Sequence, residues 1–272
     1  MKICHVCLSA AVLLGLSACY TNPVTGRQSL VLIPQGQELS LGEQSFRDIR
    51  QKEKVSADSG ANARVTRVGQ RIAQAVGSEL PDAKWEFVVF ESEDANAFAL
   101  PGGKVGVYTG LLKLAESDAE LATVMGHEIG HVIARHGAER MSEAMLISTA
   151  GEIAGTALEA KTGAQQRQIF DLAYGGIATV GRVLPHSRAN ESEADRMGAI
   201  YAARAGYDPR ASISFWRKMV AQKKAAEKAA PAPGKLAGFF STHPADEKRI
   251  ADLQALMPQV VPIYEQNRDR VR

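Results

Sequence analysis

At 272 residues the chain is long enough for one large domain or two small ones, and its 45% apolar content supports a sizeable core. Its 32 lysines and arginines nearly balance its 30 aspartates and glutamates. That balance gives no electrostatic ground for a nucleic-acid partner, and none is expected.

The opening residues, MKICHVCLSAAVLLGLSAC, carry one early lysine and then an apolar run from Leu8 to Ala18. The run is shorter than the roughly 20 residues of a transmembrane helix and fits a signal-peptide core of about 7–15. It ends in Leu16-Ser17-Ala18-Cys19, which resembles the lipobox of bacterial lipoproteins. The resemblance implies cleavage before Cys19 and acylation of that cysteine. The residue that follows is Tyr20 rather than an aspartate, which favours the outer membrane over retention at the inner one. Cys4 and Cys7 leave with the signal, so no disulfide is available to the mature chain.

Residues 20–37, rich in Asn, Pro, Gly and Gln, read as an extended tether. Helical periodicity follows over Gln37–Lys54 and Asn62–Val76, the latter with Val65, Val68, Ile72 and Val76 on one face. KWEFVVF is a β-rich run, and NAFALPGGKVGVYTG reads as a turn at Pro101-Gly102-Gly103 between strands. These make a small antiparallel sheet. Beyond Gly110 the pattern is helical: Leu111–Leu114, Ser117–Arg135, Ala138–Leu158, Ala164–Val183, Asn190–Ala205, Pro209–Lys228 and Ala245–Leu256. Within 141–184, Glu143, Glu152, Glu159 and Lys161 exclude a membrane span. KKAAEKAAPAPGK marks a mobile insert at about 223–237, and residues 257–272 read as a tail. The expected layout is signal 1–18, acylated tether 19–37 and main domain 38–256. The fold class is α+β, mostly helical, with the small sheet beside the helix described next.

That helix contains His127-Glu128-Ile129-Gly130-His131, an H-E-x-x-H pattern. Residues i and i+4 share one helix face, so two imidazoles reach one metal and Glu128 can hold a water beside it. Sixty residues on, Glu191 and Asp195 repeat the i, i+4 spacing. Glu191 can complete a His₂Glu site that leaves a fourth position open. Asp195 can accept an imidazole N–H and fix its tautomer. Glu193 is expected to point elsewhere. His136, five positions past His131, cannot join the metal from that helix and reads as structural.

H-E-x-x-H followed by N-E-x-x-x-D resembles the gluzincin metallopeptidases. NAFALPGGKVGVYTGLL, GHEIGHVIARHGAER, SRANESEADRMG and STHPADEKRI together resemble the subgroup of CAAX prenyl proteases, HtpX and soluble bacterial lipoprotein proteases of envelope quality control. The resemblance implies one Zn²⁺ held by His127, His131 and Glu191, with Glu128 as general base and Asp195 behind the ligands. It makes Asn96, Ala97 and Phe98 an edge strand for the substrate backbone, a mode that reads little sequence. Where the family has tyrosine this chain has His186, a candidate for oxyanion stabilisation together with Arg188. In STHP, His243 either approaches the fourth zinc position and holds the enzyme latent, or begins a helix without touching metal.

The implied activity is zinc-dependent endoproteolysis of unfolded or misassembled envelope proteins, from the periplasmic side of the outer membrane. Prenyl-protein cleavage is not expected, because the membrane helices of those relatives have no counterpart here. The alternatives are a chaperone-like lipoprotein with a latent or structural zinc, and a zinc hydrolase of a non-protein substrate such as peptidoglycan.

Overall fold

The computed structural model describes residues 19–153, 187–228, 236–244 and 247–271. The signal segment, the expected helix Ala164–Val183 and His186 lie outside them.

Strand β1 (Cys19–Thr21) pairs antiparallel with β2 (Gln28–Leu30). Helices α1 (Gln35–Lys52) and α2 (Ser59–Val76) follow. Asp58 caps α2 by accepting from the amides of Gly60 and Ala61, which starts the helix three residues before its apolar stripe announces it. Strands β3 (Glu86–Phe90), β4 (Ala97–Leu100) and β5 (Lys104–Tyr108) form one sheet in the order β3-β5-β4.

The sheet is mixed rather than antiparallel. The β4–β5 hairpin is antiparallel as expected, closed by Gly102 and Gly103 at φ 90° and 81°. However, β5 lies between the other two strands, so β3 meets it in parallel. Strand alternation then divides the interior. Val89, Ala97, Ala99, Val105 and Val107 face one core, shared with α2 and the later helices. Val88, Phe90, Phe98, Leu100 and Tyr108 face a second, shared with Phe46 and Ile49 of α1 and with Val31 and Ile33.

A short helix α3 (Thr109–Leu112) leads to α4 (Asp118–Ile133), α5 (His136–Ile153), α6 (Arg188–Arg204), α7 (Ala211–Lys228), α8 (Ala237–Thr242) and α9 (Glu247–Asn267). Ser117 caps α4 by accepting from the amide of Glu120, and every residue of α4 from Glu120 to Ile133 is buried. Its neighbours are β4, α2, α6 and α7, while α9 covers α6 and α7. A helix buried all round with two histidines and a glutamate in its middle is a poor core helix unless those side chains are engaged.

Helices α4 and α6 meet almost backbone to backbone. A Cβ on Gly126 would stand 3.0 Å from the Gly198 carbonyl oxygen, and one on Gly198 would stand 2.8 Å from the His127 nitrogen. The two glycines therefore bring the helix carrying His127 against the helix carrying Glu191.

Three expected boundaries are corrected. Residues 19–33 are not an extended tether: Asn22, Ser29, Val31 and Ile33 are buried against the domain. The segment carries polar groups whose partners lie on distant helices, and composition gives no sign of that. The insert begins later than 223, because α7 continues to Lys228. The tail is helical to Asn267 despite Pro258 and Pro262. Both prolines are exposed, so the carbonyls they leave unbonded face water. Val260 between them is buried and continues the stripe of Leu253 and Leu256. Among the described residues no helix is long and apolar enough to cross a membrane.

Gly198→Ala should force α4 and α6 apart at a cost of about 1–3 kcal/mol, the usual range for overpacking. Denaturant unfolding measures it; an unchanged midpoint would contradict the close approach.

Candidate metal centre

Helix α4 supplies His127, Glu128 and His131, α6 supplies Glu191, and His243 follows α8 as its C-cap. All five are buried. His127 Nε2 lies 3.1 Å from His131 Nε2 and 3.2 Å from His243 Nδ1. The Glu191 carboxylate lies 3.2 Å from His131 Nε2, 3.2 Å from His243 Nδ1 and 3.5 Å from His127 Nε2. One donor atom from each of these four residues falls within 4.8 Å of all the others.

Imidazole nitrogens that close repel one another unless a proton or a cation lies between them. Donors at metal–nitrogen distances of about 2.0–2.1 Å around a tetrahedral ion would stand about 3.3 Å apart. The observed separations match, and two or three imidazoles with a carboxylate are the donor types a borderline-soft divalent ion takes. The residues present therefore fit a metal ion.

Each histidine of α4 has a partner on its far nitrogen. His127 Nδ1 lies 3.0 Å from Asp195 Oδ1. Asp195 is in turn gripped by Arg249, with both bonds at 2.7 Å. Arg249 Nη1 also lies 2.8 Å from Glu191 Oε2, and its guanidinium sits 3.6 Å from the centre of the Trp216 ring. Burial alone would raise the Asp195 carboxyl, but Arg249 and His127 outweigh it and hold it low. On the other side, His131 Nδ1 lies 2.8 Å from His136 Nδ1, and His136 Nε2 lies 3.0 Å from Glu193 Oε2.

Glu128 is placed differently. It is buried beside the cluster, 3.3 Å from His243 Nε2, and burial pushes its carboxyl up. It lies next to the donors without being one of them, where a base acting on a water would have to be.

His127, His131, Glu191 and Asp195 thus stand where the spacing placed them. His243 joins the donor cluster. Asn96 precedes β4, and Ala97 and Phe98 lie in it, at the sheet edge packed along α4. Arg188 begins α6 and is exposed. Two contributors were not anticipated. Arg249 stands in the STHPADEKRI motif, where nothing in the local spacing assigns it a partner. His136 falls between the expected helices Ser117–Arg135 and Ala138–Leu158; α4 instead ends at Ile133 and Arg135 turns left-handed at φ 54°. The next helix then starts with His136 turned back toward His131, and Glu193 points to it as well as away from the donors.

An H-E-x-x-H helix crossed by a helix that offers a carboxylate to the same point is the arrangement metallopeptidases use. The chain matches Peptidase family M48 over residues 59–257, and it belongs to that family. It is 31% identical to the mitochondrial metalloendopeptidase OMA1 of Saccharomyces cerevisiae, over 90% of this chain and 71% of that one. It is 33% identical to a putative beta-barrel assembly-enhancing protease of Vibrio cholerae, over 84% of this chain and 45% of that one. The beta-barrel assembly-enhancing protease of Escherichia coli is 27% identical over 91% and 49% respectively. The chain thus spans about half the length of these two bacterial proteins. All four members of the buried donor cluster lie within the residues that match this peptidase family.

Arg249→Met should cost about 3–5 kcal/mol in the metal-free protein, because Asp195 and Glu191 would lose their buried counter-charge. Urea unfolding reads this directly; a loss below about 1 kcal/mol would show the pair to be dispensable.

Proposed function

We propose that the protein is a zinc-dependent endopeptidase of the bacterial cell envelope, cleaving unfolded or misassembled proteins. The observation that carries the reading is the buried His127, His131, Glu191 and His243 donor set with Glu128 beside it. Bound zinc supplies Lewis acidity that polarises the scissile carbonyl and acidifies the attacking water. His127, His131 and Glu191 hold the ion, and Asp195 orients His127. Glu128 takes the water's proton and delivers it to the leaving amine. The edge strand from Asn96 to Leu100 is the platform for an extended substrate, joined through its main chain. That mode favours unfolded chains, whose backbone is available for pairing.

Envelope placement rests on the lipobox-like run Leu16–Cys19 and on the names of the bacterial proteases that the chain resembles, whereas the OMA1 relatives are named as mitochondrial. Cys19 is exposed, as an acylated residue must be. It opens a strand fixed to the domain, so the acyl chains hold the catalytic domain close to the periplasmic face of the outer membrane. A second reading, a latent resting enzyme, is favoured by His243, whose Nδ1 faces the donors while its Nε2 faces Glu128.

A form starting at Tyr20 and loaded with zinc should degrade unfolded casein. Glu128→Gln at equal zinc occupancy should lower the rate at least 100-fold. Cleavage by both forms would remove Glu128 as the base, and cleavage by neither would favour the latent reading. In a Gram-negative host the full chain should sediment with outer membranes and Cys19→Ser should not; an unchanged distribution would exclude acyl anchoring.

A further inference from the structure

The turn between β1 and β2 reaches the active centre through three side chains. The turn closes on itself, with the Asn22 amide donating to the Arg27 carbonyl and the Gly26 amide donating to the Asn22 carbonyl. From it, Asn22 Nδ2 donates to Glu193 Oε1 at 2.7 Å, Thr25 Oγ1 donates to the same oxygen, and Arg27 Nε donates to Oε2. The Arg27 guanidinium is itself fixed by two 2.8 Å bonds to Glu139. Glu193 in turn accepts from His136, which contacts the far nitrogen of His131.

The donor logic of this chain is determined at one end. His131 turns Nε2 toward His127 and Glu191, so that nitrogen has to be unprotonated to bind metal. Its proton then sits on Nδ1 and is donated to His136 Nδ1. His136 carries its own proton on Nε2 and donates it to Glu193. The order holds only if Glu193 offers acceptors and stays in place. Donors from the turn hold both of its oxygens.

We propose that Asn22, Thr25 and Arg27, acting through Glu193 and His136, are positioning residues for the metal ligand His131. The N-terminal hairpin, which opens at Cys19, is then a working part of the metal centre rather than a leader. The inference rests on the reading of His127, His131 and Glu191 as metal ligands. It adds that the segment adjoining the anchor sets the affinity of one of them.

The test measures zinc affinity of the form starting at Tyr20 by competition with a chromophoric chelator, and the visible spectrum of its Co²⁺ form. Glu193→Gln keeps the shape and loses the anionic acceptor. Thr25→Val removes one clamp, and Thr25→Ser restores it. Glu79→Gln, which disturbs the Tyr201 and Arg204 contacts on the same helix away from the relay, is the stability control. Loss of such outer partners typically weakens metal binding about 10–100-fold. We expect a fall in that range for Glu193→Gln with altered Co²⁺ bands, a smaller fall for Thr25→Val, recovery in Thr25→Ser and wild-type affinity in Glu79→Gln. Affinities within about twofold of wild type for Glu193→Gln and Thr25→Val would overturn the relay, as would an equal loss in Glu79→Gln. Failure of the wild type to bind zinc would remove the metal-site reading and this one with it. A wild type that binds zinc but leaves casein intact would remove the peptidase reading alone.

Discussion

The structure is organised around the cost of taking ionisable side chains out of water. Three histidines and three carboxylates (His127, His131, His243, Glu128, Glu191 and Asp195) are buried where α4, α6 and α8 converge. None can remain there without a partner, because an unpaired buried charge costs several kcal/mol. The features around the site supply those partners. Arg249 neutralises Asp195 and Glu191 from α9, with its flat face on Trp216. The amphipathic α9 therefore has a second task beyond covering α6.

The two sides of the centre are built from opposite ends of the chain. His127 is braced by Asp195 and Arg249, from late in the sequence. His131 is braced by His136 and Glu193, with residues 22–27 behind them. The glycine pair Gly126 and Gly198 lets α4 and α6 close to the distance at which both braces engage. The left-handed turn at Arg135 is held by Glu38 and by the Ile33 carbonyl, which ties the same helix end to the start of the domain.

How much of this the sequence discloses follows from which contacts are local. The i, i+4 pairs His127/His131 and Glu191/Asp195 are fixed by helical period alone, so the candidate donors and the aspartate behind them can be read directly. The glycine turn at 101–103 makes the β4–β5 hairpin equally readable. The parallel partner of β5 is not, since strand order depends on a crossover that no local pattern encodes. Arg249 escaped because nothing in the local spacing assigns it a partner. His136 escaped because a single left-handed residue redirects the chain after Ile133. Residues 19–33 read as a tether because their composition is that of a loop, while the side chains of Tyr20, Asn22, Thr25 and Arg27 bond to residues more than a hundred positions away. His243 lay between two readings, and only the packing of α8 brings it among the donors.

The most direct test of the central claim is anomalous diffraction at the zinc edge from crystals of the zinc-loaded protein. A single peak bounded by His127 Nε2, His131 Nε2 and the Glu191 carboxylate is predicted, with His243 either completing the shell or withdrawn from it. A peak elsewhere, or coordination that omits Glu191, would contradict the account.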